Sequence, residues 1–190
     1  MQRGARIVHH QLLNFFMKKK TTKKIIKNQK KNSAKKKKKI VVAVSGGFDP
    51  IHIGHIRYLQ EAKKLGDKLI VILNNDNWFS IKGKELFMSE NDRKEIIEAL
   101  ACVDEVFISK HKYSRESFDR NTEEYSVCRE LNEIRPDIFA NGGDRFAEDV
   151  PEFKLCQKLG IKMAFNVGHG GKVRSSSDLL RDYSKKIKNN

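Results

Sequence analysis

The sequence predicts an α/β protein, a three-layer α/β/α sandwich built around a five-stranded, mostly parallel sheet. The chain contains five short apolar runs, and the first of them is unbroken, as is typical of a strand buried on both faces of a parallel sheet. Each run precedes a segment whose apolar residues recur at helical spacing. Because β–α–β crossovers are right-handed, such a chain places helices on both faces of one sheet.

The predicted strands coincide with the apolar runs and end in glycine or polar residues. The first run, IVVAVSGG, is unbroken and finishes in two glycines, where the chain can turn sharply. The predicted strands cover residues 40–47, 68–76, 104–109, 137–144 and 161–168.

Five predicted helices follow the strands, and local residues mark several of their ends. Gly66 is expected as the C-cap of the first helix and Ser89 as the N-cap of the second. Pro136 is expected to stop the third and Gly160 to end the fourth, while serines cap the fifth. The predicted helices cover residues 55–67, 89–103, 125–136, 150–160 and 175–187, with a polar loop at 110–124.

The excess basic charge lies at the amino-terminal end. Residues 1–40 contain 15 of the 39 Lys and Arg side chains and no Asp or Glu. The rest of the chain therefore contains 24 basic and 24 acidic side chains. We expect a disordered, lysine-rich tail over residues 1–39 and a folded domain over residues 40–190, because the tail has too few apolar residues to offset the entropy of ordering. The tail is interpreted either as a basic arm that binds nucleic acid or an anionic membrane, or as a solvated extension without a binding role.

Two observations predict a cytoplasmic protein. The three cysteines are widely spaced and form no CxxC pair, which fits a reducing compartment. No stretch approaches the roughly 18 consecutive apolar residues that a membrane span needs.

The loop after the first strand reads GGFDPIHIGH and leads directly into a helix. A glycine turn at a helix N-terminus exposes backbone N–H groups and the positive end of the helix dipole, which together favour an anion. His52 and His55 lie three residues apart, so both rings can face one ligand. They are interpreted as hydrogen-bond donors to phosphate, as zinc ligands, or as a helix cap; a zinc pair lacks an obvious third ligand with supporting spacing.

This loop resembles the GxFDxxHxGH signature of the nucleotidyltransferase superfamily, in particular its cytidylyltransferase-like and heptose-phosphate adenylyltransferase-like group. The resemblance extends over residues 40–187 and implies a Rossmann-like nucleotidyltransferase domain. It implies that Gly46, Gly47, Phe48 and Asp49 contribute to the nucleotide and phosphate site. Asp49, in the same motif, either shapes the loop or assists metal binding.

Further segments are similar to other motifs of the superfamily. IKGKELFMSENDRKEIIEALACVDEVFI resembles the cytidylyltransferase segment in which basic residues precede an arginine-led helix, which implies phosphate contacts from Lys82, Lys84 and Arg93. NGGDR resembles the GGD segment that lies near the base or ribose, and VRSSSDLL resembles the carboxyl-terminal serine motif that holds the β- and γ-phosphates. The nucleotide-binding residues implied by these two segments are Gly142, Gly143, Asp144, Arg174, Ser175, Ser176 and Ser177.

The resemblance also implies a mechanism. His52, His55, Lys82 and Arg93 would be the catalytic residues, acting by positioning and charge stabilisation, because an acceptor phosphate monoester is already an ionised nucleophile. Mg²⁺ would be the cofactor, held mainly by triphosphate oxygens, and no protein ligand is assigned to it.

The implied reaction transfers CMP or AMP from CTP or ATP to a phosphorylated acceptor and releases pyrophosphate. The acceptor is expected to be a sugar or polyol phosphate such as glycerol 3-phosphate or heptose 1-phosphate. One alternative is a nicotinate-mononucleotide, pantetheine-phosphate or FMN adenylyltransferase-type activity; another is a non-catalytic nucleotide- or nucleic-acid-binding protein that uses its basic tail. The resemblance further implies a homodimer.

Two features bear on the acceptor. The segment 110–124 is longer than the resemblance leads us to expect, and Lys112, Tyr113, Arg115 and Arg120 would line an acceptor pocket. Trp78, just after the second apolar run, is either a core residue or a stacking surface.

Overall fold

A fully parallel five-stranded sheet forms the centre of the protein. The computed structural model describes residues 38–112, 126–143, 150–168 and 175–188. The strands are β1 (Val41–Gly46), β2 (Lys68–Leu73), β3 (Glu105–Ile108), β4 (Ile138–Gly142) and β5 (Lys162–Val167). They are arranged in the order β3-β2-β1-β4-β5, and all four neighbouring pairs are parallel.

Helices alternate with these strands along the chain. Those among the described residues are α1 (Ile53–Lys63), α2 (Asp76–Ile81), α3 (Glu90–Glu98), α4 (Cys128–Ile134), α5 (Phe153–Leu159) and α6 (Ser176–Lys188). The predicted α/β sandwich with its five-stranded parallel sheet is therefore confirmed. Within the described ranges, no helix combines the length and apolar character that crossing a bilayer requires.

The sheet is covered on both faces at its centre, which explains why β1 and β2 lack polar alternation. Val42 and Val44 of β1 pack with Leu59 of α1 and Ile97 of α3 on one face. Ala43, which points to the opposite face, packs with residues of α4 and α5, including Leu131 and Cys156. Alternate residues of a strand point to opposite faces, so β1 contributes to both halves of the core.

The strand order fixes where a ligand would lie. The chain runs from β1 outward to β2 and β3, and then returns to the other side of β1 as β4. The connections leaving β1 and β4 therefore diverge, and a crevice opens beyond their carboxyl ends. Ligands of open parallel sheets bind in this crevice.

Three details differ from the sequence-based expectation. The second strand ends at Leu73, and the residues predicted to extend it begin the additional helix α2, which Asn75 caps by accepting a hydrogen bond from Trp78 N. Helix α1 ends with Lys64 as its C-cap rather than Gly66. Gly66 is instead required by packing, because a Cβ there would meet the carbonyl oxygen of Ile40 at 2.7 Å.

Other predicted helix ends are confirmed. Ser89 caps α3 by accepting a hydrogen bond from Asp92 N, and Gly160 ends α5 in the left-handed conformation. Helix α4 stops just before Pro136, with Arg135 as its left-handed C-cap. Several predictions lie outside the described residues: the tail up to residue 37, most of the loop 110–124 with Tyr113, Arg115 and Arg120, and the site residues Asp144 and Arg174.

Candidate active site

The loop after β1 turns closely over a buried aromatic ring. A Cβ on Gly47 would meet Cζ of Phe79 at 2.7 Å, so only glycine allows the loop to lie this close to α2. Phe48 follows with a positive φ of 52° and a buried side chain. The side chain of Phe48 therefore packs into the core and holds the loop against it.

Asp49 fastens this loop to the segment that precedes α3. Its two carboxylate oxygens accept hydrogen bonds from Phe87 N at 2.6 Å and Met88 N at 2.9 Å, and the residue is buried. Because both oxygens are used in backbone contacts, the geometry fits the loop-shaping interpretation of Asp49.

The two histidines of the motif stack on each other at the start of α1. Their ring centroids are 3.8 Å apart with an interplanar angle of 20°. His52 is the N-cap, and its Nδ1 accepts a hydrogen bond from Gly54 N at 3.1 Å. A neutral imidazole that accepts at Nδ1 carries its proton on Nε2 and is a donor there.

His55 is held in its neutral form. Burial, and to a lesser extent the neighbouring His52, lower the pKa of His55 to about 3. Its ring also contacts Phe48 in a T-shaped arrangement, with centroids 5.0 Å apart. A neutral ring at physiological pH acts as a hydrogen-bond donor or acceptor and not as a fixed cation.

The first turn of α6 lies against the same loop. Ser176 donates a hydrogen bond from Oγ to the carbonyl oxygen of Pro50 at 3.0 Å. Ser175 caps the helix, because its Oγ accepts from Asp178 N at 3.1 Å and donates to the Asp178 carboxylate at 2.5 Å. Ser177 is exposed. The N-termini of α1 and α6 are thus brought together although they are far apart in the sequence.

Arg93 lies beneath the loop and does not face solvent. The residue is 1% exposed, and its guanidinium donates to the carbonyl oxygens of Gly47, Asn74 and Met88 at 2.7, 2.8 and 3.0 Å. It also pairs with the Asp76 carboxylate at 2.6 Å. Four of the five guanidinium N–H groups thus have acceptors within the protein, and the direct contact of Arg93 with phosphate stays a prediction.

The predicted lysines follow α2 at the edge of the candidate site. Lys82 is the C-cap of α2, and Lys84 comes two residues later on an exposed turn. The Nζ atoms of Lys82 and Lys84 lie 5.3 and 5.8 Å from the centroid of the Trp78 ring. Half-buried Trp78 thus presents a ring face to two cations.

The glycines after β4 adjoin α1. A Cβ on Gly142 would meet Cδ2 of Tyr58 at 2.9 Å, and Tyr58 donates from its hydroxyl to the carbonyl oxygen of Ala140 at 2.7 Å. Gly143 adopts a positive φ of 70° with open space around it. These two glycines let the chain leave the sheet close to the N-terminal half of α1.

The profile of the family described as Cytidylyltransferase-like matches residues 43–164. The chain belongs to the cytidylyltransferase-like family. It is accordingly an enzyme of the nucleotidyltransferase class, as the first-loop signature predicts. The matched region starts in β1 and ends in β5, so it contains the histidine pair, both lysines and Arg93.

Known relatives of this cytidylyltransferase-like chain fall into two groups. A protein named FAD synthase from Picrophilus torridus is 35% identical over 139 residues, which are 72% of this chain and 91% of that protein. A bifunctional protein HldE from Streptomyces coelicolor is 40% identical over 121 residues, 62% of this chain but 23% of that protein. A solved structure, a lipopolysaccharide core biosynthesis protein from Thermoplasma volcanium, has a TM-score of 0.55 at 29% identity and covers 70% of this chain and 99% of that one.

Two asparagines at the carboxyl ends of the cytidylyltransferase-like sheet were missed by the sequence reasoning. Asn74 and Asn141 are 5% and 4% exposed, and Asn74 Oδ1 and Asn141 Nδ2 have no hydrogen-bond partner among the described residues. His55 Nδ1 is in the same situation. Buried amides without partners are costly, so such atoms mark places where a ligand atom is expected. The available signal was an asparagine at the carboxyl end of an apolar run.

Metal ligands of the ordinary protein type are not assembled in the described part of this domain. No group of three or more His, Cys, Asp or Glu side chains there has the arrangement of a metal site.

Proposed function

We propose that this cytidylyltransferase-like enzyme transfers AMP from ATP to the phosphate of FMN and releases pyrophosphate. The similarity to the Picrophilus torridus FAD synthase, which extends over 91% of that protein, supports FMN as the acceptor. The match to HldE covers 23% of that protein and supports an acceptor of the sugar-phosphate type less strongly.

The observation that carries the proposal is the hydrogen bond between Ser176 and Pro50. It holds the N-terminus of α6 beside the loop that leads into α1, so two helix N-termini meet at the carboxyl end of the sheet. Each N-terminus presents the positive end of its helix dipole. The positive ends of two helices together favour a substrate with the high negative charge of a triphosphate.

The acceptor phosphate is the nucleophile and needs no general base. One of its oxygens forms a bond to the α-phosphorus of ATP, while the bond from that phosphorus to the bridging α–β oxygen breaks and pyrophosphate leaves. The charge that develops on the α-phosphate oxygens and on the leaving group is what the protein must stabilise. A His55 pKa of about 3 fits this chemistry, because a neutral ring is a donor at fixed geometry and is not required to take up a proton.

The remaining residues take positioning roles in this proposal. His52 Nε2 and the first turn of α6 hold the β- and γ-phosphates, and Lys82 and Lys84 approach the α-phosphate and the acceptor phosphate. Arg93 acts through the loop that it fastens from below. Mg²⁺ would supply charge neutralisation between the phosphate oxygens when it enters with the nucleotide.

A sugar or polyol phosphate is the second candidate acceptor. The 40% identity to HldE over 121 residues favours it. The same phosphate chemistry applies, since glycerol 3-phosphate, heptose 1-phosphate and FMN are all phosphate esters that attack through an oxygen. The two candidate acceptors differ only in the organic group that carries the reacting phosphate.

Pyrophosphate release tests the proposal. The full chain is incubated with ATP or CTP and, in turn, FMN, glycerol 3-phosphate and heptose 1-phosphate, and pyrophosphate and adenylylated or cytidylylated product are measured. We expect release only with ATP and FMN together, a large loss in His52→Ala, and no loss in Gln60→Ala, an exposed residue of α1. Release with a sugar phosphate alone would favour the second candidate. Absence of product in every combination, with ATP binding unchanged by His52→Ala, would support a non-catalytic binding protein instead.

A further inference from the structure

Helix α6 carries a stripe of mainly apolar side chains along one face. The members of this α6 stripe are Ser176, Leu180, Tyr183 and Ile187, spaced by four, three and four residues. Side chains at this spacing line the side of a helix that packs against another helix. The stripe begins at Ser176, whose hydroxyl bonds to the carbonyl oxygen of Pro50, so its first turn faces the rest of the domain.

The exposure of the stripe increases toward the carboxyl end of α6. Leu180 is half-buried, whereas Tyr183 and Ile187 are 62% and 57% exposed. All residues from 181 to 187 are exposed, so the helix extends beyond the surface against which its first turn packs. Large apolar side chains that are exposed next to each other on one helix face indicate an interaction surface.

The two flanks of the stripe differ in charge. Asp182 and Lys186 lie one turn apart on one flank, and the small polar residues Ser177 and Ser184 lie on the other. The hydroxyl of Ser184 donates to the carbonyl oxygen of Leu180 at 2.9 Å, so it lies close to its own helix. One flank therefore carries one charge of each sign, and the other leaves room for a close neighbour.

This charge pattern favours a second α6 that runs in the opposite direction. In an antiparallel pair, Asp182 of each helix faces Lys186 of the other, and both contacts are attractive. A parallel pair would place like charges opposite each other, which is unfavourable. A helix that lies on an anionic membrane carries basic residues beside its apolar face, and Asp182 in that position would be repelled by the lipid phosphates.

We propose that the α6 stripe is a self-complementary docking surface for a second copy of this chain. The two helices are antiparallel about a two-fold axis near Ser184, where Tyr183 packs against Tyr183 of the partner subunit. Leu180 then lies beside Ile187 of the partner subunit. Every contact of such an isologous interface occurs twice. An interface built on one short helix pair is small, so we expect a weak dimer with a dissociation constant of about 10 to 100 µM.

Charge reversal tests the proposal, with the dissociation constant of the full chain measured by sedimentation equilibrium. Asp182→Lys and Lys186→Asp should each weaken the dimer by about five- to tenfold, because each replaces two attractive contacts by two repulsive ones. The double variant Asp182→Lys/Lys186→Asp should restore the wild-type value. An equimolar mixture of the two single variants should also restore it, because the mixed dimer contains only attractive pairs.

Two further variants separate the stripe from the rest of the helix. Ile187→Ser should make the protein monomeric without lowering its melting temperature, since this side chain is exposed within one chain. Lys185→Asp is the matched control, because Lys185 lies on the face of α6 opposite the stripe and should leave the dissociation constant unchanged.

Three results would overturn the proposal. They are a wild type that stays monomeric well above 100 µM, the upper end of the range of about 10 to 100 µM expected for a small interface, a double variant that dimerises no better than the single ones, and a monomer that binds phosphatidylserine vesicles through Ile187. The last result would assign the stripe to a membrane surface instead. The measurements need neither ATP nor FMN, so their outcome is independent of the proposed function.

Discussion

Ser176 and Pro50 are 126 residues apart in the sequence, and a hydrogen bond of 3.0 Å joins the serine hydroxyl to the proline carbonyl oxygen. Through this bond the last helix is attached to the loop that carries the nucleotidyltransferase signature. The anion site of the proposed mechanism consists of both helix N-termini, so this contact has consequences for nucleotide binding.

Ser176→Ala should raise the KM for ATP with a smaller effect on kcat. The substitution removes one neutral hydrogen bond, worth about 1 kcal/mol, and loosens the N-terminus of α6 relative to α1. Ser184→Ala is the matched control, because Ser184 lies on the same helix and donates only to the carbonyl of Leu180 one turn earlier. Steady-state kinetics on both variants check this; equal KM values for the two would contradict it.

Arg93→Lys should lower the free energy of unfolding by about 3 kcal/mol. Lysine cannot satisfy the acceptors that the guanidinium reaches in this buried position, so several polar groups would lose their partners. Urea denaturation measures the change, with Arg57→Lys on the exposed face of α1 as the control. A loss of activity without a loss of stability would instead support the direct phosphate contact expected from the sequence.

The free energy of unfolding should decrease as the pH falls from about 6.5 to about 3, because of the lowered pKa of His55. Burial lowers the pKa of His55 to about 3 in the folded protein, while the unfolded chain retains a pKa near its usual value of 6.5. The unfolded state therefore binds more protons throughout this window, and stability declines across it. Urea titrations at pH 7, 5.5 and 4 should show a smaller decline for His55→Gln than for the wild type; parallel declines would argue against the lowered pKa.

Asn141→Leu should stabilise the protein and impair its activity. The buried Nδ2 of Asn141 has no partner among the described residues, and removing an unsatisfied buried donor is favourable by about 1 kcal/mol or more. We expect this donor to contact a substrate atom, so kcat/KM should fall while the melting temperature rises. A melting temperature that falls together with kcat/KM would show that Asn141 is needed for the fold instead.

The strands were predictable from the sequence because local composition alone decides them. All five strands lie within the predicted ranges. The unbroken apolar run of β1 is typical of a strand that is buried on both faces. Helix α2 was missed because its six residues, DNWFSI, are too few for a periodic signal and directly follow an apolar strand. Helix ends marked by capping chemistry, such as those at Ser89 and Gly160, were predicted correctly.

The site was only partly predictable, because long-range contacts decide how each residue is used. The motif predicted the family and the position of the histidine pair at a helix N-terminus. Both predictions were possible because they depend only on residues that are close together in the sequence. Arg93 is different: its acceptors come from three separate segments around residues 47, 74–76 and 88, and no local pattern shows that they surround it. The missing partners of Asn74 and Asn141 likewise become visible only when the whole sheet is assembled.

Positional labelling of ATP tests the central claim most directly. The full chain is incubated with FMN and Mg²⁺, and with ATP that carries ³²P at the α-phosphate in one sample and at the γ-phosphate in another. The account predicts that the α label appears in the adenylylated flavin and the γ label in pyrophosphate. Transfer of the γ label to the acceptor, or retention of both labels in ATP, would contradict it.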